Sequence, residues 1–183
     1  MYKLRPTLWR TCRAIACETR LRLLWGIFKQ NDLCVAELAH EVGISEQNAS
    51  IQLRALSSRG LIMPLRQNLK IIYQPEANAE LESVGDILDA LHKNFENRMS
   101  YETVIQQATA FTHDRRIQIV RILKDSPATF GELLEKTGAS IPALTLHLNK
   151  LEARRFVKLK GTHYMLTNPG NPLGHVLLKT ACV

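Results

Sequence analysis

The sequence contains no apolar run long enough to cross a membrane. A spanning helix needs about 18 or more nearly uninterrupted apolar residues, and no window of the 183-residue chain approaches that length. Near its start, four arginines interrupt every apolar stretch that could act as the core of a signal peptide: Arg10, Arg13, Arg20 and Arg22. We therefore expect a cytoplasmic protein that does not enter a membrane.

Motifs that carry chemistry are also scarce. Cys12, Cys17, Cys34 and Cys182 show neither CxxC pairing nor zinc-ribbon spacing, so the sequence predicts free, buried thiols in a reducing compartment. The chain shows no phosphate-binding glycine-rich motif, no paired carboxylates and no Ser/His/Asp set. We therefore expect a protein that is not an enzyme and that holds no cofactor and no metal ion.

One pattern occurs twice in the chain. Residues 17–75 and residues 113–168 each predict helix, helix, turn, helix and a two-stranded hairpin. Aligned on each other, the two stretches match at the start of their first helix, at the turn and along the last helix: Arg20 with Arg116, Glu37-Leu38 with Glu132-Leu133, Gly43 with Gly138, Ser45 with Ser140, Leu53 with Leu148, Leu56 with Leu151, and Leu61-Ile62 with Phe156-Val157. The pattern is that of a winged helix-turn-helix, present in two copies.

Charge is distributed in three blocks. Residues 1–75 carry 11 Lys/Arg and 5 Asp/Glu, residues 76–112 carry 2 and 7, and residues 113–183 carry 11 and 5. The net charges of the blocks are therefore +6, −5 and +6, in agreement with the +7 of the whole chain. Basic units attract a polyanion such as DNA, whereas an acidic strip between them discourages binding on every face.

The predicted fold class is mainly α with small β-hairpin wings, in tandem winged helix-turn-helix domains joined and packed through flanking helices. We expect the first domain, with an N-terminal helix, over residues 1–76 and an acidic helical connector over residues 77–112. The second domain, with a C-terminal helix, is expected over residues 113–183. Units of about 60 residues are marginal alone, so the flanking helices should share one core.

Apolar spacing and capping residues predict the individual elements. In the first half these are helices from Pro6 to about Cys17, Glu18–Lys29, Val35–Val42 and Glu46–Arg59 capped by Ser45, then strands Leu61–Leu65 and Lys70–Gln74 around Arg66-Gln67-Asn68, with Pro64 marking an edge strand. Later elements are helices Asn78–Arg98, Tyr101–Phe111, about His113–Lys124, Phe130–Thr137 and Ile141–Arg154 capped by Ser140, strands Phe156–Lys160 and His163–Leu166, and a short helix toward Thr180.

Both halves resemble the ArsR-type winged-helix repressors. In the first half, residues 19–24 read TRLRLL and residues 37–45 read ELAHEVGIS, similar to the start of the second helix and to the turn in that family. Residues 45–56 and 140–151 approximate the family's recognition helix, S-x-x-x-V-S-x-H-L-x-x-L. The ordered set is more specific than any one motif, and it occurs twice. The resemblance implies a transcriptional regulator that binds DNA, with a repressor as the favoured form, while the residues themselves leave repressor and activator open.

The predicted recognition helix of the first unit suits base reading. Such a helix presents polar side chains to base edges in the major groove while its other face packs in the core. Ala49, Leu53 and Leu56 form the predicted buried face. The expected DNA contacts are the polar residues of the helix, Ser45, Gln47, Asn48, Ser50, Gln52 and Arg54, and basic residues at its end and wing, Arg59, Arg66 and Lys70.

The recognition helix of the second unit is more apolar. Its outward positions include Ile141, Pro142, Ala143 and Leu146, which cannot read hydrogen-bond donors and acceptors. Expected DNA contacts there serve mainly phosphates: Thr145, His147, Asn149, Lys150, Arg154, Arg155, Lys158 and Lys160. An alternative is that this helix docks on a protein partner.

The best-known metal-binding motif of the resembled family is incomplete. Where the family has E-L-C-V-C-D-L, residues 32–38 read DLCVAEL, so Cys34 is present and Ala36 replaces the second thiol. One thiol does not hold a soft metal without help, and Cys12 or Cys17 would have to supply it. Asp89 and His92 on the connector also lack a partner pair. We therefore expect no metal site.

The favoured function is a sequence-specific transcriptional regulator that binds double-stranded DNA. Its flanking helices predict either a homodimer or a pseudo-dimer formed inside one chain. The alternative is a protein-interaction or scaffolding module, similar in layout to segregation-and-condensation protein B, which also has two winged helices in one chain. In that case a protein would bind through the second recognition helix. The basic charge of both units favours DNA.

Overall fold

The computed structural model describes residues 7–30, 32–67, 70–78 and 81–183, with only the backbone of Glu82. Within these residues the chain forms ten α-helices and five short strands. The predicted fold class, mainly α with two small hairpins, is confirmed. The elements are α1 (Leu8–Ile15), α2 (Glu18–Lys29), α3 (Val35–Val42), α4 (Glu46–Ser57), β1 (Met63–Gln67), β2 (Lys70–Gln74), α5 (Glu82–Glu96), α6 (Tyr101–Ala110), α7 (Asp114–Asp125), β3 (Ala128–Thr129), α8 (Phe130–Thr137), α9 (Ile141–Ala153), β4 (Val157–Lys160), β5 (His163–Leu166) and α10 (Pro172–Ala181).

Most predicted helices are confirmed, and three of them (α2, α3 and α8) have the predicted bounds. The largest difference is at α5, which begins at Glu82 rather than at Asn78. The backbone N–H of Asn78 donates to the carbonyl of Gly60 (2.9 Å). Asn78 is therefore bonded to the residues that follow the first recognition helix and does not belong to α5. The predicted helix start at Pro6 and the predicted turn residue Asn68 lie outside the described residues.

The first wing strand lies two residues later than predicted. It runs over Met63–Gln67, and Arg66 and Gln67, predicted as turn residues, are paired with β2. Leu61 and Ile62 precede the strand and are fully buried, and the backbone N–H of Leu61 donates to the carbonyl of Leu56 at the end of α4. On its other side β2 bridges to Cys34, so β1 is the outer strand, as Pro64 predicts.

The second wing contains a strand that the sequence did not predict. Strand β3 pairs with β5, which makes a three-stranded sheet of order β3-β5-β4. At the equivalent position of the first unit, Cys34 and Ile72 form a single isolated β-bridge. A strand of two residues has no alternation to detect, and only the tertiary pairing reveals it.

Helices at equivalent places in the two units pack against each other. Helices α1 and α6, each before its unit, are in contact, and so are α5 and α10, each after its unit. Two polar links accompany these pairs: Lys179 Nζ lies 3.2 Å from Asp86 Oδ2, and Arg13 Nε donates to the carbonyl of Thr112 at 3.2 Å. One continuous apolar core therefore runs through both units and the flanking helices.

An aromatic cluster fixes the connector to the first unit. The ring of Trp25 on α2 packs edge-on against Phe95 on α5, with centroids 5.4 Å apart, and against Tyr101 on α6, at 5.7 Å. Aromatic pairs in such arrangements add about 0.5–1.5 kcal/mol beyond the area they bury. The acidic connector is thus part of the core and not a free linker.

Both helix-turn-helix turns depend on a left-handed glycine. Gly43 ends α3 with φ of 75°, and Gly138 ends α8 with φ of 59°. We expect Gly138→Ala to lower the free energy of unfolding by about 1 kcal/mol, because a Cβ disfavours this conformation. Gly131→Ala in the same helix is the control: a Cβ there meets open space, so stability should stay the same or rise. Urea titration of both variants tests this, and equal effects would contradict it.

Candidate DNA-binding surface

Helix α4 separates an apolar face from a polar one. Ala49, Leu53 and Leu56 are fully buried, as predicted. Gln47 and Asn48 are exposed at the helix start. The hydroxyl of Ser45 accepts a hydrogen bond from the backbone N–H of Asn48 (3.2 Å) and caps the helix. The first turn therefore presents an ordered polar surface with two amide side chains, while Arg54 is exposed further along the same helix.

Gln52 is held within the protein. Its Oε1 accepts a hydrogen bond from Arg20 Nη1 (2.8 Å), and its Nε2 donates to Asn48 Oδ1 (3.0 Å). Arg20 also donates from Nη2 to the carbonyl of Arg13 at 3.0 Å, and from Nε to that of Ala14. The half-buried Gln52 thus links Arg20 to Asn48 through its side-chain amide.

Arg116 makes the same kind of link in the second unit. Its Nε donates to the carbonyl of Ala110 (2.6 Å), its Nη2 donates to the carbonyl of Thr109 (3.1 Å), and Nη1 lies 3.5 Å from Nδ1 of His147. Arg20 and Arg116 therefore each join the end of a flanking helix, α1 or α6, to the recognition helix of their unit. We did not predict this role, although the alignment of the repeats pairs the two arginines.

His147 does not lie where a phosphate contact requires it. It is 8% exposed, and its ring centroid lies 4.6 Å from that of His113. Burial, together with the electrostatic effect of the neighbouring His113 and Arg116 side chains, lowers its pKa from 6.5 to about 4. The side chain is therefore neutral near pH 7, and the expected contact between His147 and DNA is at odds with its position.

The outward face of α9 is largely apolar, as the sequence indicated. Ile141 is 61% exposed and Leu146 is 53% exposed. Thr145 is exposed, but its hydroxyl donates to the carbonyl of Ile141 at 2.9 Å. Leu146 has a counterpart in the first unit, Ile51, which is 51% exposed. Each recognition helix thus exposes one aliphatic side chain at the same position, and a thymine methyl is a base feature that such a group can contact.

Basic side chains flank both recognition helices. In the first unit Arg66 and Lys70 are exposed on the wing, Arg59 is half-buried just beyond α4, and Lys70 Nζ lies 4.0 Å from Glu37 Oε1. In the second unit Arg155, Lys158, Lys160 and Asn149 are exposed, whereas Lys150 and Arg154 are half-buried. Arg154 Nε donates to the hydroxyl of Thr109 at 2.7 Å, which ties it to α6.

Cys34 has a structural position at the start of α3. Its backbone N–H donates to Glu37 Oε2 at 2.7 Å, and hydrogen bonds from Cys34 hold the pKa of that carboxyl below its ordinary value. Thr129 and Glu132 form the same cap at the start of α8, with Thr129 N–H donating at 2.7 Å. Within the described residues no group of three or more His, Cys, Asp or Glu side chains is placed to hold a metal ion.

Two comparisons relate the chain to known regulators. Residues 113–158 match the helix-turn-helix family described as bacterial regulatory protein, arsR family. Over 81 residues the chain is 32% identical to a protein named transcriptional repressor SmtB homolog from Synechocystis sp.. That alignment covers 44% of this chain and 61% of the relative. No solved structure matches the chain.

These matches support an ArsR-type helix-turn-helix and a DNA-binding transcriptional regulator. The family match lies on the second unit, and the first unit has the same order of helices and the residues aligned above. In the described part of the chain, no helix combines the length and the hydropathy that crossing a membrane requires.

The buried His147 predicts a pH dependence of stability. Because its folded pKa of about 4 lies below the ordinary value of 6.5, folding releases a proton from this side chain between these two pH values. Stability should therefore be unaffected above about pH 6.5 and should fall by about 1–3 kcal/mol between there and about pH 4. The variant His147→Gln carries the residue found at the equivalent position 52 of the first unit. Its stability should depend less on pH in this range. Denaturant titrations at several pH values measure it, and parallel profiles for both proteins would count against the prediction.

Proposed function

We propose that the chain is a transcriptional repressor that binds double-stranded DNA as a pseudo-dimer formed within one molecule, in the cytoplasm and without catalytic activity of its own. The observation that carries the proposal is the pairing of equivalent flanking helices, α1 with α6 and α5 with α10. Such a pairing would give one chain two recognition helices in related positions, as in a dimeric helix-turn-helix protein that binds two successive major grooves.

The charges of the chain support a polyanionic partner. The two units carry +6 each, and their exposed basic side chains include Arg66 and Lys70 on the first wing and Lys158 and Lys160 on the second. The acidic residues concentrate in the connector, where Asp86 pairs with Lys179 of the last helix. Duplex DNA would therefore meet the basic side chains of the wings and not the acidic connector.

The two units contact DNA in different ways. Helix α4 reads bases with Gln47 and Asn48, whose amides can pair with adenine, while Arg54, Arg59, Arg66 and Lys70 contact phosphates. Helix α9 contributes Thr145 and Leu146 at the groove, and Asn149, Lys150, Lys158 and Lys160 hold the backbone. The operator is then an imperfect palindrome, because the two helices present different side chains to the two half-sites.

We expect the affinity for duplex DNA to fall steeply with salt, because lysine and arginine side chains release condensed counterions from phosphates. The logarithm of the binding constant should fall linearly with the logarithm of the salt concentration, with a slope of about −0.9 per phosphate contacted. Fluorescence anisotropy with labelled duplex at several salt concentrations measures the slope. Binding that stays undetectable at low salt would refute the proposal and leave the scaffolding alternative.

Base readers and phosphate contacts should respond differently to mutation. Gln47→Ala should relax sequence preference by about 1–3 kcal/mol at one base pair, and should alter non-specific binding little. Lys158→Ala, the matched control, should weaken binding to all sequences alike and lower the salt slope by about one contact. Selection of preferred sites from random duplexes decides between them. Unchanged preference in the Gln47 variant would remove this residue from base readout.

The apolar surface of the second unit favours one alternative function, docking on a protein. Ile141 and Leu146 on α9 and Leu159 on β4 are all at least half exposed, at 61%, 53% and 50%. Such a surface is unusual for a helix that reads bases only by hydrogen bonds. Under this alternative, Leu146→Lys would leave DNA affinity unchanged or raised. Under the favoured function, the same change should alter sequence preference in the second half-site.

A further inference from the structure

A series of side-chain hydrogen bonds joins the end of α1 to the exposed start of α4. The guanidinium group of Arg20 donates to two backbone carbonyls at the end of α1. Its Nη1 also donates to Oε1 of Gln52 on α4, at 2.8 Å. Nε2 of Gln52 in turn donates to Oδ1 of Asn48, about one helical turn earlier, at 3.0 Å. We call the three side chains Arg20, Gln52 and Asn48 the Arg20 relay.

The chemistry of arginine fixes the direction of every bond in the Arg20 relay. A guanidinium group carries donors and no acceptor, so Gln52 must turn its oxygen, and not its nitrogen, toward Arg20. The nitrogen of Gln52 is then the atom that faces Asn48. Because that nitrogen is a donor, Asn48 can meet it only with its oxygen. Asn48 is thereby held with Oδ1 toward Gln52 and with Nδ2 on the other side of the amide.

The amide nitrogen of Asn48 is the end of the relay that a ligand can reach. Asn48 is exposed in the first turn of α4, and the N-terminal residues of a recognition helix are those that contact base edges. Its backbone N–H is used in the helix cap, where it donates to Ser45 Oγ. Among the described residues, the side chain of Asn48 bonds to Gln52 alone, through its oxygen. Nδ2 is therefore a free donor at the surface proposed to bind DNA.

The second unit has the arginine of the relay but not its end. Arg116 is the equivalent of Arg20, and its Nη1 lies 3.5 Å from Nδ1 of His147, the equivalent of Gln52. The position of Asn48 is occupied by Ala143, whose methyl group neither donates nor accepts a hydrogen bond. Only the first unit can therefore present an oriented amide donor at this position.

We propose that Asn48 acts as a hydrogen-bond donor to DNA and selects guanine at its base pair, with Gln52 as its positioning residue. In the major groove guanine presents two acceptors, N7 and O6, whereas adenine presents the acceptor N7 beside the donor N6–H. An amide pairs with adenine through its nitrogen and its oxygen together, and the oxygen of Asn48 is already engaged by Gln52. Gln47 lies outside the relay and keeps the adenine contact proposed for it. This inference rests on the proposed binding of duplex DNA.

Affinities for duplexes that differ at a single base pair test this proposal. Site selection with the full chain and with its Asn48→Ala variant identifies that base pair as the one whose preference the variant loses. Exchange of its G·C pair for A·T in the same orientation keeps the purine N7 and replaces the acceptor O6 by a donor. We expect this exchange to weaken binding at least about fivefold, the lower limit for a good base contact.

The outcomes separate this inference from the function on which it rests. Equal affinity for the two duplexes, or a preference for adenine, would overturn the inference and leave the binding of DNA intact. Absence of binding to any duplex at low salt would overturn the proposed function and this inference with it.

Two variants of Gln52 distinguish orientation of Asn48 from a general effect on the fold. Gln52→Glu still accepts from Arg20 but offers Asn48 only acceptors, so the amide of Asn48 should turn its oxygen outward and adenine should be preferred to guanine. Gln52→Met breaks the relay without adding a charge, and the two bases should then bind about equally. Melting temperatures check that both variants fold, and the uncharged variant suffices if the carboxylate is not tolerated.

The matched control for the added charge is Gln47→Glu. It makes the same replacement of an amide by a carboxylate beside Asn48, at an exposed residue outside the relay. Binding to all duplexes should weaken, whereas the preference for guanine at the Asn48 base pair should remain. An unchanged preference in both Gln52 variants, or the same reversal in Gln47→Glu as in Gln52→Glu, would contradict the role of the relay.

Discussion

The pairing of α1 with α6 and of α5 with α10 is the contact on which the rest of the arrangement depends. In a homodimer, such an interface forms only above a certain concentration, and its two halves are identical in sequence. Here both halves belong to one chain, so the interface forms during folding. It also leaves the two recognition helices free to differ, and they do: α4 has Gln47 and Asn48 at the positions where α9 has Pro142 and Ala143.

Two arginines connect that interface to the recognition helices. Arg20 holds the end of α1 and reaches Gln52 on α4, and Arg116 holds the end of α6 and reaches His147 on α9. Each flanking helix is therefore linked through one arginine to the recognition helix of the same unit.

The sequence predicted most of the fold because its signals are local. Apolar spacing located the helices, and Gly43 and Gly138 marked both turns. The signals failed where structure depends on distant partners. The two residues of β3 are too few to show an alternating pattern. Before α5, the backbone of Asn78 forms a hydrogen bond with Gly60 and is not helical.

The candidate site was predictable only in part, for the same reason. Helical period placed Gln52 and His147 near the outward face of their helices, and it could not reveal that an arginine from another helix reaches each of them. Exposure of Gln47, Asn48, Lys158 and Lys160 agrees with the expectation from the sequence. Whether these residues contact DNA is a property of the complex and stays a prediction.

The number of chains bound to one operator duplex tests the central claim most directly. Native mass spectrometry of the complex, combined with hydroxyl-radical footprinting, gives the stoichiometry and the protected sites together. The account predicts one chain per duplex, with protection centred on two successive major grooves about 34 Å apart. Two chains per duplex, or protection of a single groove by one chain, would contradict a pseudo-dimer that grips DNA with both of its recognition helices.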